Sequence, residues 1–359
     1  MTRLTALLLA AAAACSRPDP PIEEGAASNA GDRARPEAPA RASADIVALS
    51  YRAMGTQVRF VAWTDAPDRA RGAFEAAIVE FRRLEELHSN WKPQSDVSRI
   101  NARAGVKPVR VAPETVALLT EAKRMHSLTS GKFDVGFGAL AKLWRFDHDQ
   151  DNRIPDRKAV AAQLPLVDAS RIQVDAERST VFLPEKGMSV HVGGIGKGFA
   201  VDRAARLLRA RGLENFMIQA GGDLYAAGRR GDRPWRVGIR DPRGPPSAFF
   251  ARAEIEDRTF STSGDYMRFF IKDGVRYHHI IDPDSGEPAR RCRSVTVFAP
   301  SALVADAFST GVFILGVDEG LALVEATPGV GAVIVDADNE VHVSKRLTEK
   351  VELINSPTL

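Results

Sequence analysis

The chain has 359 residues, 44% of them hydrophobic and 26% charged, which is the make-up of a globular protein with room for one large or two ordinary domains. A formal net charge of +3 is small for this length and gives no reason to expect a nucleic-acid partner.

Arg3 precedes an apolar run, 4–14, which ends at Cys15. A positive start and an apolar core too short to span a bilayer read as a signal peptide over 1–14. Ala12-Ala13-Ala14-Cys15 resembles a bacterial lipobox. That likeness predicts a lipidated Cys15 and an exported protein anchored to a bacterial membrane and facing the periplasm. An ordinary secretory cleavage site is the alternative. With Cys15 acylated, Cys292 is unpaired and no disulfide framework exists. Residues 15–45 are rich in Pro, Ala, Glu, Arg and Gly and contain no aromatic side chain. Such a stretch cannot bury enough apolar area to offset its ordering entropy, so a disordered tether is expected. The folded domain is expected over 46–350.

Two strands are predicted around Met54-Gly55-Thr56. An amphipathic helix over 69–88 follows from Phe74, Ala77, Ile78, Phe81, Leu84 and Leu87, spaced three and four apart. The polar segment 90–101, with Pro93 and Asp96, is expected to be a loop. A second helix over 113–128 has Pro113 at its first position and Gly131 at its stop. Two short strands are expected within 167–183. Further strands are predicted at 216–219, 235–240, 251–255, 277–281 and 294–298, and 259–266 reads as a polar turn. Helices are predicted over 302–315, capped by Ser301, and over 317–325. Residues 330–336 and 340–343 close the chain as a hairpin. Helices come singly or in pairs between clusters of strands, which predicts an α+β fold rather than a doubly wound sheet.

The stretch 191–202 organises this sequence. Gly193, Gly194, Gly196 and Gly198 interrupt a strand-like run, 188–192, and a helix is predicted from Lys197 to Arg211. Glycines allow a bulky anion to approach the backbone, and a helix start would aim N–H groups and its positive dipole end at it. Lys197 adds a point charge. A phosphate-bearing ligand and a plain glycine-rich turn both remain open on this stretch alone. Neither the P-loop nor the Rossmann fingerprint fits, because Gly198 and Phe199 break their respective spacings.

Asp306 and Thr310 lie four apart on an otherwise apolar helix and therefore share a face. The pair suits a hard cation with oxygen ligands, or else a buried hydrogen bond with Thr310 bonding back to its own helix. His278 and His279 end a strand and should point to opposite faces, so at most one reaches a given site. Asp134, Asp223 and Asp265 sit at glycine-type turns, where most such residues cap the turn.

Six segments occur in one order: Met54-Gly55-Thr56; the glycine stretch from Gly193 to Asp202; Gly221-Gly222-Asp223; Thr262-Ser263-Gly264-Asp265-Tyr266; His278-His279-Ile280-Ile281-Asp282-Pro283 with Gly286; and Ala305-Asp306-Ala307 with Thr310. In this order they resemble the ApbE family of FAD:protein FMN transferases. The resemblance implies a single ApbE-like, T-fold-like α+β domain with mixed or antiparallel sheets and flanking helices. It also implies a Mg²⁺-dependent enzyme that moves the FMN part of FAD onto a Thr or Ser hydroxyl of an acceptor protein and releases AMP. By the same resemblance, Asp306, Thr310 and the Gly196 carbonyl would hold the metal. Met54 would lie by the flavin. Asp134, Gly193, Gly194, Lys197, His279 and Ile280 would contact FAD. Of the two candidate bases, His279 has an ordinary pKa near working pH, whereas Asp306 would be metal-bound. His191-Val192 stands where the family usually has Asp-Leu, and Gly196 where it usually has Ala. An FAD pyrophosphatase and a non-catalytic exported flavin-binding lipoprotein are the alternative readings.

Overall fold

Eight strands cross the central sheet in chain order, every neighbouring pair antiparallel: Asp45–Ala53, Thr56–Thr64, Phe216–Ala220, Asp223–Ala227, Arg258–Gly264, Cys292–Ala299, Gly331–Asp336 and Val341–Val343. The computed structural model describes residues 44–147 and 149–359. The expected signal peptide, the lipobox at Cys15 and the tether up to residue 43 lie outside the described residues.

The first two strands turn back through Met54 and Gly55, both at positive φ (51° and 70°), the conformation that a two-residue hairpin requires. Alternation along the strands then serves two layers. Phe60, Ala62, Val295 and Val297 face the helices Pro67–His88, Gly196–Ala210 and Ala302–Leu315. Val61, Phe260, Phe298 and Val333 face a second sheet, in which Phe249–Ile255 lies between Trp235–Arg240 and Val351–Leu353. Phe60 stacks on Phe74 with ring centroids 5.4 Å apart and meets Phe81 edge-on. Each fully buried ring contributes on the order of 2–3 kcal/mol to the core. The last of these strands carries the fold past residue 350, where the expected domain ended. Among the described residues no helix is long and apolar enough to cross a membrane.

The helices Pro113–Leu128 and Ala302–Leu315 match their predicted spans. Three expectations are corrected. Asp96–Ala102 is a helix rather than a loop, because the Ser95 side chain accepts the Ser98 N–H and caps it. The run 188–192 joins no ladder. Its polar backbone groups are taken instead by the amides of Asn90 and Asn101, which hold Val190, and by the Val135 carbonyl, which accepts from His191. Residues 259–264 are not a turn but most of a central strand.

Candidate active site

Helix Ala302–Leu315 is fixed end-on by helix Gly196–Ala210. Asp202 accepts hydrogen bonds from the Ala302 N–H (2.7 Å), the Leu303 N–H (3.0 Å) and the Ser301 hydroxyl (2.7 Å), whose own oxygen caps the helix. The two helices approach so closely that a Cβ on Gly198 would lie 2.4 Å from the Ala302 carbonyl oxygen. This docking puts Asp306 against the start of the glycine helix, where its Oδ2 accepts the Gly198 N–H at 3.1 Å. The predicted helix start is therefore present, and one of its free N–H groups is answered by a carboxylate of the protein itself.

The surrounding cleft encloses about 1060 Å³, including its open mouth. Its walls bring together Gly193, Gly194, Lys197, His279, Ile280, Asp306 and Thr310, seven of the residues singled out in the sequence. Lys197 sits at the centre. Its ammonium donates to the Gly193 carbonyl at 3.1 Å and lies 3.3 Å from Asp223 Oδ2 and 3.5 Å from Asp306 Oδ2. Burial opposes its charge, but the two carboxylates outweigh burial and hold its pKa above the ordinary lysine value. Burial, and then the charge of Asp223, pushes the Asp306 pKa up. Asp223 was read as a turn cap. It is instead 1% exposed and faces the cleft, with Oδ1 accepting the Ser261 hydroxyl at 2.5 Å. Among the described residues its Oδ2 has no hydrogen-bond partner, and the Lys197 ammonium lies 3.3 Å away.

Thr310 does not close on its own helix. Its hydroxyl lies 3.2 Å from the Ser263 hydroxyl, which is 2.8 Å from that of Ser309. These hydroxyls are why the strand Arg258–Gly264 looked like a turn. Ser261, Thr262 and Ser263 all line the cleft, where a strand of ordinary pattern would show apolar residues.

The two histidines part as expected. His278 is buried, bonded through Nε2 to the Ala289 carbonyl oxygen at 2.7 Å and packed edge-on to Phe313. His279 lines the cleft with its Nδ1 unpartnered. Burial, then the nearby Arg268 charge, pushes the His279 pKa down to about 3, so its ring is neutral at any physiological pH.

Three expected residues stand differently. Asp134 lines the cleft, but its carboxylate is taken up locally by the Gly136 and Ala169 N–H groups and by His126 at 2.9 Å. Met54 and Gly196 line a neighbouring cleft with Glu85, His88 and Trp91. That second cleft shares His191, Gly193, Lys197 and Arg268 with the first, so the glycine loop is the wall between them. Arg268 and His191 were not singled out as ligand contacts. Both line the two clefts, and their place there comes from the segments they meet.

A glycine loop and a half-buried lysine between two buried carboxylates line one cleft of this antiparallel α+β frame. The ApbE family model matches residues 54–334, and the chain belongs to that family. It is 34% identical to the FAD:protein FMN transferase of Treponema pallidum over 84% of this chain and 88% of that one. It is 33% identical to the enzyme of the same name from Vibrio cholerae over 72% of this chain and 78% of that one. The crystal structure of the ApbE protein of Thermotoga maritima superimposes with a TM-score of 0.79 at 32% identity, over 85% of this chain and 99% of that one. The flavin transferase ApbE from Vibrio cholerae gives 0.75 at 28%, over 86% and 99%. The family and the α+β fold expected from the six motifs are thus both found.

Proposed function

We propose that this protein transfers the FMN moiety of FAD to a Thr or Ser hydroxyl of an acceptor protein, releasing AMP, with Mg²⁺ in the site. The observation that carries the proposal is the Lys197 ammonium held between Asp223 and Asp306 beside an open glycine loop, in a chain of this family. The donor set suits a hard cation. Asp306 and Asp223 offer buried carboxylate oxygens, and the Thr310 hydroxyl lies in the same cleft. Asp306 and Thr310 would hold Mg²⁺, which when bound neutralises charge on the pyrophosphate. Gly196, the third ligand that the resemblance implies, opens on the neighbouring cleft.

The protein's own groups supply the rest. Lys197 and Arg268 bind pyrophosphate oxygens and set the attacked phosphorus against the incoming hydroxyl. The free His279 Nδ1 accepts the hydroxyl proton. An anionic ligand beside Arg268 offsets the smaller part of what depresses this histidine, the Arg268 charge, while burial, the larger part, remains. The acceptor oxygen bonds to the FMN phosphorus, the phosphorus–oxygen bond to AMP breaks, and AMP leaves. Met54 and the second cleft hold the far part of the dinucleotide, across the shared wall.

The test is mass spectrometry of a candidate acceptor after incubation with the protein, FAD and Mg²⁺. A mass increase of one FMN phosphoryl group, lost on chelation, is expected. Many turnovers of FAD to FMN and AMP without an acceptor would instead mark a pyrophosphatase, and FAD retained unchanged would mark a binding protein. The same proposal places the enzyme on a bacterial membrane, facing the periplasm, through lipidated Cys15. Cys15→Ser should then leave the membrane fraction and stay active.

A further inference from the structure

We infer that Lys197 is a built-in cation, occupying in the ligand-free protein the seat that a divalent metal takes, and that Asp223 is a wall of that seat alongside Asp306. The inference rests on the metal-dependent reading above.

The ammonium is surrounded by the oxygen set a hard cation selects: two buried carboxylates and a backbone carbonyl, at 3.3, 3.5 and 3.1 Å. Asp223 is not an incidental neighbour. Buried without a hydrogen bond at Oδ2, it would be strongly destabilising with no cation opposite it. Its orientation is also enforced, since Ser261 and the start of strand Asp223–Ala227 leave Oδ2 aimed into the cleft. A Cβ on Gly222, the residue before it, would lie 2.8 Å from the Thr262 carbonyl oxygen, so the backbone there has no freedom to turn the carboxylate away.

Two cations cannot share this seat. A divalent ion entering it displaces the ammonium, and a pyrophosphate at the glycine loop gives the ammonium an anion to move to. Metal and anionic ligand therefore favour each other's binding, and Lys197 is the coupling element. The same ammonium keeps the two carboxylates compatible while the site waits for its ligands.

The test is Mn²⁺ binding followed by electron paramagnetic resonance at fixed pH, with no flavin and no acceptor, so its outcome does not depend on catalysis. Lys197→Met should bind Mn²⁺ at least about tenfold tighter than the parent, because the competitor is gone. Asp223→Asn should bind at least about tenfold more weakly, and Lys197→Met with Asp223→Asn should lose the gain. Unchanged affinity in Lys197→Met overturns the built-in cation, and parent-like affinity in Asp223→Asn removes Asp223 from the seat. If Lys197→Met, which leaves Asp223 without its cation, fails to fold by circular dichroism, the Asp223→Asn arm decides alone, and if Asp223→Asn fails to fold the Lys197→Met arm does. A tight site in Lys197→Met with no FMN transfer in the parent would keep this inference and defeat the transferase reading.

Discussion

Asp306 carries the heaviest chemical demand of any single residue. It accepts the Gly198 N–H, faces Lys197 and lies 4% exposed on a helix whose neighbours are apolar. Asp306→Asn keeps the size and one acceptor oxygen but not the charge. FMN transfer should fall by about a hundredfold or more, while FAD binding and thermal stability stay close to the parent. Transfer near the parent rate at low Mg²⁺ would remove Asp306 from the proposed metal site. Cys292 marks the opposite extreme. Burial pushes its thiol up to about 12, so it should resist thiol reagents in the native protein and react only after denaturation.

At the scale of elements, the hinge of the design is the junction between helices Gly196–Ala210 and Ala302–Leu315. Asp202→Ala removes three hydrogen bonds from the start of the second helix and should cost about 1–3 kcal/mol in urea unfolding. Gly198→Ala should be as damaging and should also impair transfer, because the added carbon would meet backbone and drive Asp306 off the glycine helix. A Gly198→Ala protein with parent stability would refute the close contact. Elements with local signals were legible in the sequence. Pro113 and Ser301 mark helix starts that the structure reproduces. Elements whose logic is tertiary were not. Helix Asp96–Ala102 hides behind polar residues because Asp96 turns inward to accept from the Ala112 N–H and the Thr115 hydroxyl. Strand Arg258–Gly264 lacks apolar alternation because one stretch of it serves the cleft. Asp223 has the local surroundings of any turn aspartate, and only the lysine opposite sets it apart.

At the scale of the whole molecule, burial depresses the pKa of four histidines among the described residues, His88, His191, His278 and His279. Burial first of all pushes His88 and His278 down to about 4 and His279 to about 3. Their folded pKa values lie below the unfolded value near 6.5, so below that pH the unfolded chain binds more protons. These rings should cost stability as pH drops from about 6.5 toward 4, each up to about 1.4 kcal/mol per pH unit, while His126 and Asp306, whose folded pKa values are raised, act in the opposite sense. His88→Phe, which fills the space beside Phe199, should flatten that slope in denaturation measured from pH 4.5 to 7.5. An unchanged slope would assign the acid sensitivity elsewhere.

The sheet's strands neighbour one another in chain order, yet the cleft draws on residues from Lys132 to Ile314. Hairpins can therefore assemble progressively as the chain emerges, while the ligand site is among the last things to exist. A chain stopped before helix Ala302–Leu315 would own much of the sheet and none of the carboxylate from Asp306. Ligand capture thus works as a certificate of completed folding. Saturating FAD should protect finished molecules from proteolysis and leave unfinished ones to be degraded.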